Sequence, residues 1–101
     1  MSKELEIIKK KITENKAYLR EIYGVEEIGL FGSYTRGEQT PESDVDVVVT
    51  LNQKKVSVGL FEFCNLERFL ENLLNKKVDL VTKRSIRPAF QKYILPTILY
   101  I

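Results

Sequence analysis

Three aspartates and one glycine-serine pair have the types and spacing to do chemistry in this chain. Asp44 and Asp46 flank Val45, Asp79 lies between Val78 and Leu80, and Gly32-Ser33 closes the short apolar run that ends at Phe31. Strand side chains alternate between faces, so Asp44 and Asp46 project from one face and Val45, Val47 and Val49 from the other. Two carboxylates side by side repel unless a cation lies between them. If the strands carrying Asp46 and Asp79 are neighbours, three carboxylates share one face. Such a set suits two divalent ions that bridge triphosphate oxygens and lower the pKa of an attacking hydroxyl. Gly32 lets the backbone approach a phosphate closely, while the Ser33 hydroxyl and the following N–H groups donate hydrogen bonds to it. Arg36, three residues on, can add a charge-assisted contact.

Each of these features has an ordinary reading when taken alone. Asp-x-Asp is often a solvated sheet face, Gly-Ser is often a plain turn, and an isolated acid such as Asp79 can be a charge that protects an edge strand. Arg36 and Arg87 can be solvated surface charges. The spacing is what joins them: with each residue type at roughly five to seven per cent, the spaced Gly-Ser and Asp-x-Asp match by chance at on the order of one start in 10⁵. Cys64, between Phe63 and Leu66, reads as a small buried hydrophobe, and Tyr34 and Tyr100 read as packing residues.

The elements that must position these groups follow from periodicity. Leu5, Ile8, Ile12, Leu19 and Ile22 predict one helix over Glu4 to Tyr23, stopped by Gly24. A strand over Glu27 to Phe31 enters the Gly32-Ser33 turn, and Gly37, Pro41 and Ser43 keep the next segment irregular, with room for one helical turn. Asp44 to Leu51 carries the strongest strand signal, Asn52 to Lys55 is a polar loop, and Ser57 is the expected N-cap of a helix ending near Asn75. That helix buries Phe63, Leu66, Leu70, Leu73 and Leu74 and presents Glu62, Glu67, Arg68 and Glu71 on its opposite face. Lys77 to Thr82 is a third strand, and Pro88 opens a last helix with Phe90, Ile94 and Leu95 that Pro96 ends or kinks. The expected fold is a single α/β (α+β) domain over residues 1–101, a small mixed sheet backed by helices.

Composition narrows the chemistry. The chain has 101 residues, 44% apolar and 30% charged, enough for one core but not for a second lobe that encloses a bulky acceptor. Sixteen Lys and Arg against 14 Asp and Glu leave a net charge of +2, which gives no reason to expect direct nucleic-acid binding. One cysteine excludes an internal disulfide, and the absence of histidine removes imidazole-based zinc sites. A metal here would have oxygen ligands, which suits magnesium or manganese. The charged, periodic start MSKELEIIKKK and the lack of a long apolar stretch lead us to expect a cytoplasmic protein with no membrane span.

The pattern Leu-Phe-Gly-Ser, ten residues from Tyr34 to Ser43, Asp-Val-Asp and an acidic third strand resembles the nucleotidyltransferase superfamily that includes DNA polymerase beta and kanamycin nucleotidyltransferase. Within it, the length, the Gly-Ser-Tyr-Thr-Arg-Gly-Glu segment and the Ser-Asp-Val-Asp strand look most like the minimal nucleotidyltransferase (MNT) antitoxins paired with HEPN toxins. The resemblance spans Glu27 to about Leu95. It implies a DNA polymerase beta-like fold, with Gly32 and Ser33 on the triphosphate and Asp44 and Asp46 on both metals. Asp79 is implied to be a metal ligand and the base for the acceptor hydroxyl. It further implies transfer of AMP from ATP to a tyrosine of a HEPN-type toxin held in a hetero-oligomer. Two alternatives stand beside it: a transferase for a small hydroxylated molecule such as an aminoglycoside, and an antitoxin that acts by binding alone. Pro96 departs from the pattern, because related chains continue a helix into a short terminal strand there.

Overall fold

The computed structural model describes residues 3–101. Helix α1 (Lys3–Glu14) and helix α2 (Lys16–Tyr23) replace the single helix expected over Glu4 to Tyr23. The break is at Asn15, whose side-chain amide donates to the Lys11 carbonyl at 2.8 Å. Asparagine competes with the helix backbone in this way and favours interruptions. Leu5, Ile8, Ile12 and Leu19 are buried, but after the break Ile22 turns outward and is 49% exposed. Gly24 ends α2 with a φ of +69° and donates its N–H to the Arg20 carbonyl at 3.0 Å.

Strand β1 (Val25–Phe31) begins two residues earlier than expected, with Val25 buried. A one-turn helix α3 (Ser33–Arg36) follows, then strand β2 (Val45–Leu51), which starts one residue after Asp44. Helix α4 (Leu60–Leu74) is capped by Gly59 rather than Ser57: the Gly59 N–H donates to the Glu62 carboxylate at 2.8 Å. That contact satisfies the N–H of the cap residue itself, the half of a capping box that the N3 glutamate provides. Strand β3 (Val78–Thr82), a 3-10 turn (Lys83–Ser85), helix α5 (Pro88–Ile94), a second 3-10 turn (Leu95–Thr97) and strand β4 (Leu99–Tyr100) complete the chain. Pro96 sits inside the second 3-10 turn, where its missing N–H costs nothing, and the terminal strand forms after it.

The sheet order is β3-β2-β1-β4. Strand β2 pairs antiparallel with β1 and parallel with β3, and β4 pairs antiparallel with β1. The parallel pair is joined by α4, as parallel neighbours require a crossover. Alternation sends Ile28, Leu30, Val45, Val47, Val49, Val78 and Leu80 to one face, where they form a single core with α1, α2 and α4. The other face carries Phe31, Asp46, Val48 and Asp79 in register. Tyr34 is 2% exposed and packs in the core as expected. Tyr100 does not: it is 45% exposed and lies under the Lys83 ammonium, 5.2 Å from its ring centroid. Cys64 is exposed as well, because it is off the stripe of Leu66, Leu70 and Leu74.

Candidate active site

The parallel register of β2 and β3 places Asp46 directly beside Asp79. Both alternate with core residues, Val45 and Val47 around Asp46 and Val78 and Leu80 around Asp79, so burial of those neighbours forces the two carboxylates onto the face away from the main core. Asp44 precedes the strand and is exposed, as is Asp79, whereas Asp46 is half-buried. Among the described residues no three acids converge into a preformed metal cage. The structure brings two carboxylates together, with the third two residues away along the chain.

Gly32 explains how Asp46 is accommodated. A Cβ at position 32 would lie 2.1 Å from Oδ2 of Asp46, and Gly32 has a φ of +76°, a conformation that side-chain-bearing residues rarely adopt. The absent side chain leaves the space the carboxylate occupies. Ser33 opens α3 beside it. Thr35, which sequence reasoning did not single out, fixes this turn: its N–H reaches the Gly32 carbonyl at 3.1 Å and its hydroxyl donates to the same oxygen at 2.8 Å. A threonine three residues after a glycine at a helix start is a local signal for such a clamp. Ser43 likewise orders the approach to Asp44, its Oγ accepting the Thr40 N–H at 2.8 Å. Arg36 is exposed and donates to Glu38 at 3.3 Å. Arg87 caps the start of α5 and is exposed.

Burial pushes the Asp46 carboxyl above its ordinary pKa, and the charges of Asp79 and Asp44 push it further in the same direction, with Arg36 opposing. The Asp46 anion is therefore disfavoured until positive charge arrives. A divalent cation fits this donor set: the oxygens are carboxylate oxygens, their mutual repulsion is relieved by a cation, and Gly32 keeps one flank clear. One hollow of the surface lies away from the acids, between Glu27, Thr50, Thr82, Lys83 and Gln91. Two of the three acids, Asp44 and Asp79, are open to solvent.

This chain has relatives among known proteins. Residues 12–100 match the model of the nucleotidyltransferase domain family. The chain is 43% identical over 97 residues to the protein adenylyltransferase MntA of Thermococcus cleftensis, covering 96% of this chain and 95% of the relative. A solved structure described as a candidate minimal nucleotidyltransferase superposes with a TM-score of 0.76 at 27% identity, covering 96% of this chain and 93% of the other. A toxin–antitoxin solved with AMP-PNP superposes with a TM-score of 0.59 at 28% identity, covering 85% and 62%. A DNA polymerase beta-like fold with a mixed sheet, an acidic face and a glycine-serine turn, together with these matches, has one reading: the chain is an enzyme that belongs to the nucleotidyltransferase domain family, among its protein adenylyltransferases.

Proposed function

We propose that this chain is an antitoxin that transfers AMP from ATP to a tyrosine hydroxyl of a HEPN-type toxin, with magnesium or manganese, in the cytoplasm. The observation that carries the reading is the register pairing of Asp46 with Asp79 next to a glycine whose missing side chain makes room for a carboxylate. Gly32 and Ser33 hold the triphosphate through backbone N–H groups and the serine hydroxyl, and Arg36, whose charge already acts on Asp46, adds positive charge. Asp44, Asp46 and Asp79 would hold the divalent ion, which would neutralise phosphate charge. Asp79, exposed on the open face, takes the proton of the acceptor hydroxyl as its oxygen bonds to the α-phosphorus, and pyrophosphate leaves. A proton acceptor in this position typically contributes about 10² to 10⁴ in rate.

Three further points support a protein acceptor over a small molecule. The acids lie on an open surface that one small domain does not cover, the chain spans 95% of a relative that is itself a protein adenylyltransferase, and a toxin–antitoxin shares the fold. Among the described residues no helix is long and apolar enough to cross a membrane. The test is intact mass spectrometry of a co-expressed HEPN-type partner after incubation with ATP. Added AMP on a tyrosine is the expected result. A partner that stays unmodified with both metals, while still being neutralised, would replace this reading with an antitoxin that acts by binding alone.

A further inference from the structure

Strand β3 is at the edge of the sheet, bonded to β2 on one side only. Its outward N–H groups need partners, and α4 supplies them. Oε2 of Glu71 accepts the N–H of Val78 at 3.1 Å, and Oε2 of Glu67 accepts the N–H of Leu80 at 3.1 Å. Both glutamates are half-buried rather than on a solvated face, where their charge alone would place them. The spacings match: four residues of helix rise about 6 Å, and two residues of strand advance about 6.6 Å. Carboxylates one helical turn apart therefore meet alternate N–H groups of the strand.

Asp79 is the residue between those two anchors. In a parallel ladder alternate residues turn their backbone groups to opposite sides, so Asp79 is tied towards β2 and its two neighbours are tied towards α4. We propose that Glu67 and Glu71 are positioning residues for the transfer reaction, fixing the backbone around Asp79 so that its carboxylate stays beside Asp46. This rests on the reading that Asp79 serves the acceptor. Glutamates on this helix thereby have a part in catalysis without touching substrate. Charged hydrogen bonds to backbone N–H groups are strong enough for the task.

The experiment compares Glu67→Ala, Glu71→Ala and the double alanine variant with the Glu67→Gln/Glu71→Gln pair, which keeps an acceptor oxygen at each position. The measurements are kcat and KM for ATP with magnesium in transfer to the HEPN-type partner, and amide hydrogen exchange at Val78 and Leu80. The folded fraction is checked at the assay temperature. The double alanine variant should lose on the order of 10- to 100-fold in kcat, as a misplacement of about 1 Å can cause, with little change in KM and with faster exchange at both amides. The glutamine pair should keep most of the rate. If the double variant does not fold, the two single alanine variants carry the comparison with smaller losses. A folded alanine variant with a wild-type kcat would overturn the proposal, and so would a glutamine pair as slow as the alanines. Asp79→Asn is run in parallel: if it transfers normally, the site reading fails and this proposal with it, whereas an inactive Asp79→Asn beside fully active alanine variants sinks the positioning role alone.

Discussion

Asp46 is kept where its own charge is unwelcome. Its pKa lies above the ordinary carboxylate value because of burial and then the charges of Asp79 and Asp44. The native state thus holds this proton more tightly than the unfolded chain does, so the group weakens the fold as pH rises through the raised pKa and its cost is fully present above it. Asp46→Asn removes that cost. In chelator at neutral pH the variant should melt at a higher temperature than the parent, the gap should close as pH falls below the usual carboxylate range, and transfer should be lost. A thermal melt series against pH reads the first two effects; a variant that melts lower at neutral pH would mean that the carboxylate makes a stabilising contact. Gly32→Ala should act in the opposite sense on the fold. It forces a side chain into a glycine conformation and onto the Asp46 carboxylate, which should cost roughly 1–3 kcal/mol and abolish transfer. Denaturant titration measures the first, and an unchanged midpoint would show that the turn can be relaxed without loss.

At the scale of the element, the turn through α3 holds its shape by contacts that do not involve the Ser33 hydroxyl: the Thr35 clamp on Gly32 and the Glu38 N–H on the Ser33 carbonyl at 3.0 Å. Ser33→Ala should therefore leave the backbone donors in place and lower transfer by only about 12-fold, the worth of one hydrogen bond to a charged group at the low end of its range, about 1.5 kcal/mol. A rate as low as that of an Asp46 variant would give the hydroxyl a larger role. Elements were legible in the sequence where burial imposes a clean period. Val45, Val47 and Val49 alternate with Asp46 and announce β2, and Val78 and Leu80 do the same around Asp79. The helix break at Asn15 is hidden because the seven-residue step from Ile12 to Leu19 is also two turns of an unbroken helix. The cap at Gly59 is hidden because the capping oxygen comes from Glu62, ahead of it in the chain. Strand β4 is only two residues long and follows a proline, and Glu67 and Glu71 look like solvent charges until β3 is placed beside them. Local pattern identifies which residues face a core; it does not say which polar group another element will need.

The whole molecule presents its acids on an open face, so charge there must be balanced by what binds. At the proposed site, ATP would bring further negative charge to Asp44, Asp46 and Asp79. ATP binding should accordingly require a divalent cation, and calorimetry in excess chelator should show affinity falling by an order of magnitude or more. Full-strength binding without metal would move the nucleotide away from this face.

The crossover that joins β2 to β3 sets a further condition on timing. Asp46 and Asp79 are separated in sequence by all of α4, and they meet only when that loop has closed and the parallel ladder has formed. Parallel pairings of this kind are among the slower steps of folding, since the entropy of closing the loop is lost before the ladder repays it. The N-terminal hairpin of β1 and β2, with its Gly32-Ser33 turn, can assemble earlier and carries no competent site. A newly made chain should therefore pass through a compact but inactive stage, and the proposed transfer activity should lag its synthesis by the time the crossover takes to close.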